Sequence, residues 1–174
     1  MKKILIVIAV LILGLALFKK ETITIPESSI RFRVIANSNS KEDQLIKRTV
    51  LNNLYSEINN INTNNLLETR FLLKKELPKL SNIVKNTIKD EEYHDKYNIN
   101  YGNNYFPKKE YKNIVYPAGN YESLVVTLGE GRGDNFWCVL FPPLCLLEAE
   151  EEETETVEYT SLIKEIITKY FKIN

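Results

Sequence analysis

The spacing of apolar residues changes along this chain, and those changes most constrain its fold. Ile30–Ala36 alternates with period two, which predicts a strand; helical spacing follows, and from Tyr93 onward Tyr, Gly and Pro are frequent and the period shortens. The order is a strand, two or three helices, an antiparallel group of strands and a terminal helix. We therefore predict an α+β domain, with a small, mostly antiparallel sheet, two or three helices packed on one face, and a C-terminal amphipathic helix.

Two amphipathic helices are predicted between residues 40 and 90. Ser40 is well placed as the N-cap of the first helix, with Asp43 three residues later. Asn65 is placed as the N-cap of the second, and Pro78 predicts that this helix is either kinked or split in two. The apolar stripes are Ile46, Val50, Leu54, Ile58 and Ile61 in the first helix, and Leu73, Leu77, Leu80, Val84 and Ile88 in the second.

The second half of the chain predicts strands separated by turns. The strands are Tyr97–Phe106, Lys108–Lys112, Glu122–Leu128 and Phe136–Phe141, and the last is apolar on both faces, as in a strand buried on both sides. We predict a linker over residues 21–29, a single α+β domain over 30–147, an acidic linker over 148–158 and the amphipathic helix over 159–174.

The amino-terminal residues predict export across a membrane. Two lysines precede Ile4–Phe18, an apolar run without a charge. As a helix it reaches about 22 Å, short of a bilayer core of roughly 30 Å. A charged start followed by a short apolar run is typical of a secretory signal, and an uncleaved anchor at residues 4–18 is the alternative. Residues 1–20 are therefore an export signal or a membrane anchor.

Composition argues against several classes of function. The chain has 23 basic and 23 acidic residues, so its zero net charge gives no general attraction to nucleic acid. One His and two Cys leave few ligands for zinc, and we predict no metal and no cofactor. Gly129–Gly133 lacks the Gly-Lys-Ser/Thr ending of a phosphate-binding loop and precedes a strand, so it is predicted to be a hairpin connection.

The two cysteines allow two interpretations. Cys138 lies in an apolar strand and His94 in a charged, solvated stretch, so a Cys–His nucleophile is not expected. In an exported domain Cys138 and Cys145 can form a disulfide, because Pro142 and Pro143 between them can reverse the chain. The alternative is a pair of buried free thiols.

Three blocks resemble the stage II sporulation protein R family. They are Ile30–Ser40 with Asp43-Gln44, then Tyr116–Leu124 with its Tyr-Pro-Ala-Gly sequence, then Gly129–Cys145 with Asn-Phe-Trp-Cys-Val-Leu-Phe-Pro-Pro-Leu-Cys. Members often carry two tryptophans where this chain has Phe136-Trp137. The acidic stretch and the terminal helix match no hallmark of the family.

The resemblance implies an exported signalling protein of endospore formation, and no enzyme. Members are made in the forespore, secreted into the space between the two septal membranes or held at the membrane, and activate a membrane-embedded aspartic protease of the mother cell that processes pro-sigma-E. No nucleic acid and no small-molecule substrate is expected. The alternatives are an exported hydrolase of cell wall or peptide, and a membrane-anchored structural envelope protein.

Surface turns are the predicted contacts with such a partner, because loops carry recognition more readily than core strands. The alternative is that their Gly and Asn residues serve turn geometry alone. Arg31 and Arg33 share one strand face and either contact the partner or pair with helix carboxylates. The candidate binding residues are Arg31, Arg33, Asn37, Tyr116, Gly119, Arg132, Asn135 and Trp137.

Overall fold

A computed structural model describes residues 23–61, 63–111, 114–145 and 156–171. The predicted signal or anchor at residues 1–20 and most of the acidic linker lie outside these described residues. The strands are β1 Ile23–Thr24, β2 Ile30–Ile35, β3 Tyr97–Phe106, β4 Lys109–Tyr111, β5 Ile114–Tyr116, β6 Gly119–Leu128 and β7 Asn135–Phe141. The helices are α1 Lys41–Ile61, α2 Leu66–Asp90 and α3 Thr156–Phe171.

The main sheet has four strands in the order β3-β6-β2-β7. The β3–β6 and β2–β7 pairs are antiparallel, and β2 and β6 at the centre are parallel. Alternation in β2 sends Ile30, Phe32 and Val34 to one face, where they join the core formed with α1 and α2. The α+β prediction, with helices on one face of a mostly antiparallel sheet, is confirmed.

Local sequence explains where α1 and α2 begin. The backbone N–H of Asp43 donates to the Ser40 hydroxyl at 3.1 Å, and the Asn65 side chain accepts from Leu67 and Glu68. The α2 helix runs unbroken through Pro78, so the predicted split does not occur. Pro78 lies on the exposed side of the helix, where water can hydrogen-bond the carbonyl that a proline leaves free.

A second, smaller layer joins the two ends of the described chain. Strands β1, β5 and β4 form a three-stranded sheet, and Ile25 and Ile114 pack there with Ile163 and Ile167 of α3. Ile25 is fully buried, so part of the segment predicted as a linker belongs to a core. The C-terminal amphipathic helix is present, and its apolar side closes this second core.

None of the helices within the described ranges is both long enough and apolar enough to cross a membrane.

Candidate functional site

The face of the main sheet opposite α1 and α2 carries cations among aromatic rings. Because β2 alternates, Arg31 and Arg33 point away from the helices. Phe106, Tyr121 and Trp137 from the neighbouring strands lie on the same side. We call these five residues the aromatic face.

Arg31 is the most enclosed cation of the aromatic face, with only 2% of its surface exposed. Its guanidinium carbon lies 3.3 Å from the centroid of the Tyr121 ring and 5.4 Å from that of Phe106. Its Nη1 donates to the carbonyl oxygen of Pro117 at 3.4 Å, and the Tyr121 hydroxyl donates to the same oxygen at 3.0 Å. The Tyr-Pro-Ala-Gly sequence thus supplies the acceptor that positions Arg31.

Gly119 has a steric role beside this contact. A Cβ atom at Gly119 would lie 3.1–3.2 Å from the ring and hydroxyl of Tyr121. Such contacts are too close without displacement of the ring that stacks on Arg31. Gly119 therefore supports the aromatic face without presenting a side chain to a partner.

Arg33, Trp137 and Lys109 extend the same arrangement toward the edge of the sheet. The Arg33 guanidinium carbon lies 4.9 Å from the Phe106 centroid and 5.1 Å from the Trp137 centroid. Lys109 Nζ lies 4.8 Å from the Trp137 centroid. The Phe106 and Trp137 rings meet edge to face at 5.0 Å.

Several buried polar atoms here have no hydrogen-bond partner among the residues that the structure describes. They are Nε and Nη2 of Arg31, Nε of Arg33, Nε1 of Trp137 and Oδ1 of Asn135. Burial lowers the pKa of both arginines, because removal from water disfavours the charged form. A guanidinium nevertheless stays protonated in proteins, so the face keeps its positive charge.

A groove of about 230 Å³ opens on this face, between the main sheet and the β4–β5 hairpin. Among the described residues, its lining contains two cations and no carboxylate or imidazole: Arg31, Phe106, Pro107, Lys109, Tyr111, Tyr116, Asn135, Phe136, Trp137 and Cys138. Its cations and aromatic rings suit an anion that is joined to an apolar group.

Four of the predicted binding residues, Arg31, Tyr116, Asn135 and Trp137, line this groove. Arg33 lies beside it, stacked on Trp137. The alternative in which Arg31 and Arg33 pair with helix carboxylates is wrong, because the pleat places both side chains on the face that α1 and α2 do not cover.

Asn37 lies at the far end of β2 and is occupied by contacts within the chain. Its Oδ1 accepts from the backbone N–H of Glu130 at 2.9 Å, and its backbone oxygen accepts from Arg132 at 3.0 Å. Its Nδ2 donates to Asp95 and Asp43 at 3.1 and 3.3 Å. These contacts fix the Gly129–Asp134 loop against the Asn37–Ser40 turn, which fits the turn-geometry interpretation for this residue.

Arg132 lies outside the groove, on the loop that Asn37 holds. Its side chain is 80% exposed and pairs with Glu130 at 2.5 Å. The candidate residues at turns therefore lie at two places: Asn37 and Arg132 meet at the end of β2, whereas Tyr116 and Gly119 lie at the start of β6.

Cys138 and Cys145 are joined by a disulfide in the structure, with their Cα atoms 5.1 Å apart. Pro142 and Pro143 form the turn between them. Of the two interpretations of these cysteines, the structure contains the bonded one.

His94 lies apart from the groove. It is exposed and lines a wide, open depression with Glu92, Tyr93 and two lysines of α2. Within the described residues, no group of three or more His, Cys, Asp or Glu side chains is arranged to hold a metal.

Sequence reasoning missed Phe106, Tyr121 and Lys109 as members of the site. The sequence pattern places Phe106 in a strand and Tyr121 just before the predicted strand Glu122–Leu128, without saying what either ring contacts. The alternation of β6 places Tyr121 on the face opposite Leu124. Lys109 carried no signal, because its position over Trp137 depends on how the β4–β5 hairpin folds back.

The fold and the groove together define an α+β domain with a recessed cationic and aromatic binding surface. The family model described as "Stage II sporulation protein R (spore_II_R)" matches residues 26–151, which include every residue of the aromatic face. The stage II sporulation protein R of Bacillus subtilis (strain 168) is 34% identical over 162 residues, covering 87% of this chain and 72% of that protein. The chain belongs to the stage II sporulation protein R family. No solved structure gives a significant match.

Proposed function

We propose that this chain is an exported signal of endospore formation that activates the mother-cell membrane aspartic protease processing pro-sigma-E. The observation that carries the proposal is membership of a sporulation family over residues 26–151. The chain would leave the forespore through its amino-terminal apolar segment and act on the extracytoplasmic side, secreted or anchored.

The groove supports a role in binding. Its lining combines cations, aromatic rings and unpartnered polar atoms, and none of the described residues that line it is a carboxylate or an imidazole, the groups most often used in hydrolysis. The Cys138–Cys145 disulfide is consistent with an oxidising, extracytoplasmic location.

Activation by binding requires a difference in affinity. A ligand shifts a protease toward its active state only as far as it prefers that state over the inactive one. A partner surface that forms its contact with the groove only when active would supply that preference.

The test is co-expression of the full chain with the membrane protease and pro-sigma-E in a host that lacks all three. We expect shortened sigma factor to accumulate only when the chain is exported and the protease retains its catalytic aspartates. Uncleaved precursor despite folded, exported chain would refute the proposal. Cleavage in the absence of the protease would instead identify the chain as a hydrolase.

Two alanine variants then separate the loop from the groove. Asn135→Ala changes a groove residue, and Arg132→Ala changes an exposed loop residue outside it. We expect Asn135→Ala to reduce processing and Arg132→Ala to leave it unchanged. The reverse pattern would place the partner contact on the Gly129–Asp134 loop.

A further inference from the structure

We propose that the groove recognises a carboxylate carried by a peptide segment of the partner, with Arg31 as the principal anion-binding group. The inference rests on the proposed activation, since the peptide belongs to an extracytoplasmic part of the protease. It adds the chemistry of recognition: an Asp, Glu or chain-terminal carboxylate next to an apolar side chain.

The unsatisfied hydrogen-bond donors of Arg31 are the main support for this inference. Guanidinium N–H groups donate in the plane of the group, whereas ring stacking on Tyr121 and Phe106 engages its faces. Stacking therefore leaves the in-plane donors unsatisfied. Within the described part of the chain, Nη1 has an acceptor at 3.4 Å, whereas Nε and Nη2 are buried without one. A carboxylate, which accepts from two guanidinium N–H groups at once, matches these donors.

The charge around the groove favours an anion over a neutral ligand. Arg31 and Lys109 line the groove and Arg33 lies beside it, whereas no carboxylate contributes to the lining in the part of the chain that the structure describes. Lys109 is exposed over the Trp137 ring, so its side chain can move to meet a ligand without disturbing the core.

Asn135 favours a peptide over a phosphate. Its buried Oδ1 has no donor among the described residues, and a peptide supplies N–H groups directly beside its carboxylate. A phosphodiester group itself offers only acceptors and would leave Oδ1 unsatisfied. The groove of about 230 Å³ is several times the roughly 30 Å³ of one water molecule, which leaves room for an apolar side chain against Phe106 and Trp137.

Trp137 is the only tryptophan of the chain and provides a direct readout of groove occupancy. Its fluorescence would be titrated in the full chain, as recovered after export, with 15-residue synthetic peptides covering the extracytoplasmic segments of the protease. Each acidic peptide is paired with a version carrying Asn or Gln in place of Asp or Glu. We expect at least one acidic peptide to bind about tenfold more tightly than its amide counterpart.

Lys109→Glu and Lys108→Glu form a matched pair of variants. Both residues are exposed and both changes reverse one charge, but only Lys109 lines the groove. We expect Lys109→Glu to abolish the preference for the acid and Lys108→Glu to retain it. Arg31→Lys, checked for folding by circular dichroism, should also lose the preference; should it not fold, the lysine pair decides.

Three results would overturn the inference. Acid and amide peptides could bind equally, or the two lysine variants could lose binding equally. Alternatively, phosphatidylglycerol vesicles could bind in a Lys109-dependent way, over phosphatidylcholine controls, while no peptide binds; the surface would then contact a membrane.

A second probe separates this inference from the proposed function. The second probe is a pair of dipeptides at millimolar concentration, N-acetyl-Leu-Asp and N-acetyl-Leu-Asn, each with its C-terminus amidated. The pair tests whether the groove prefers a side-chain carboxylate over an amide, whatever the partner is. Preference for the aspartyl compound without any processing of sigma factor would leave the carboxylate site standing and refute the activation. Processing of sigma factor without any preference for an acid, in either set of probes, would support the activation and refute the carboxylate site.

Discussion

The guanidinium carbon of Arg31 lies 3.3 Å from the centroid of the Tyr121 ring, and both side chains donate to the carbonyl oxygen of Pro117. Strand β2, the turn at Pro117 and the Tyr121 ring thus meet at one carbonyl oxygen. It joins residues that lie about ninety positions apart in the chain, so the first two family blocks build one site together.

Because of this contact, we predict that Arg31 matters more for binding a partner than for the stability of the fold. Arg31→Met removes a buried cation whose desolvation opposes its cation–π energy, so we expect the free energy of unfolding to change by less than about 1 kcal/mol. Tyr121→Leu removes the buried ring and should cost about 3 kcal/mol. Urea denaturation measures both. A loss of several kcal/mol in Arg31→Met would show that Arg31 serves mainly to hold the sheet together.

Gly129 is predicted to be required for the Asn37 contact. Its φ is +56°, and a Cβ atom there would overlap Oδ1 of Asn37. We expect Gly129→Ala to destabilise the fold by about 2–3 kcal/mol, from left-handed backbone strain and a lost hydrogen bond. Gly102→Ala is the control, since its Cβ would have no atom nearer than 3.7 Å. Equal unfolding midpoints for the two variants would contradict this account.

The disulfide is predicted to stabilise the domain modestly. Closing the short loop from Cys138 to Cys145 limits the unfolded chain, which contributes roughly 2–3 kcal/mol. Dithiothreitol should therefore lower the midpoint of urea unfolding of the disulfide-bonded protein. The double variant Cys138→Ala, Cys145→Ala should start from the lower value and be insensitive to the reductant. If dithiothreitol lowered the unfolding midpoint of the double variant as well, the reductant would act elsewhere in the protein. Non-reducing mass spectrometry checks the bond itself.

The C-terminal helix is predicted to be an integral part of the fold. Ile163 is fully buried against β1, β5 and β7, whereas its neighbour Leu162 is 37% exposed. Ile163→Ala should cost about 2–4 kcal/mol and Leu162→Ala less than about 1 kcal/mol in thermal or urea unfolding. Similar small effects at both positions would mean that the helix can detach.

Tyr101 predicts a loss of stability at high pH. Burial, together with a hydrogen bond to the Glu122 carboxylate, raises the pKa of its phenol above the usual value near 10. Above pH 10 the unfolded phenol releases a proton that the folded one retains, so the free energy of unfolding falls as pH rises.

Tyr101→Phe should weaken this pH dependence and cost roughly 1.5 kcal/mol at pH 7, where the hydrogen bond to a carboxylate is lost. Tyr105→Phe is the control on the same strand, because Tyr105 is 60% exposed. Urea denaturation at pH 7 and pH 11 measures both variants. Unchanged pH dependence in Tyr101→Phe would assign the effect to other groups, of which Tyr93, also raised in pKa by burial, is the first candidate.

The sequence predicts the long helices and the strands of the main sheet, but neither β1 nor β5 and little of the site. Alternation in Ile30–Ala36 identified which side chains of β2 face the core, and Ser40 and Asn65 marked where the helices begin. What covers Arg31 was not predictable, because Phe106 and Tyr121 reach it through the register of strands that lie far away in the chain. The contacts of Asn37 were not predictable either, because its partner Glu130 lies in a loop far away in the chain.

The parallel pairing of β2 with β6 has a consequence for the timing of assembly. The central strand β2 is separated in sequence from both of its neighbours, which lie beyond residue 118. Contacts this distant close slowly, and the middle of the sheet can form only after the roughly ninety residues between paired positions of β2 and β6 have been synthesised. Until β6 and β7 leave the ribosome, β2 waits for the partner strands that satisfy its backbone hydrogen bonds in the folded sheet.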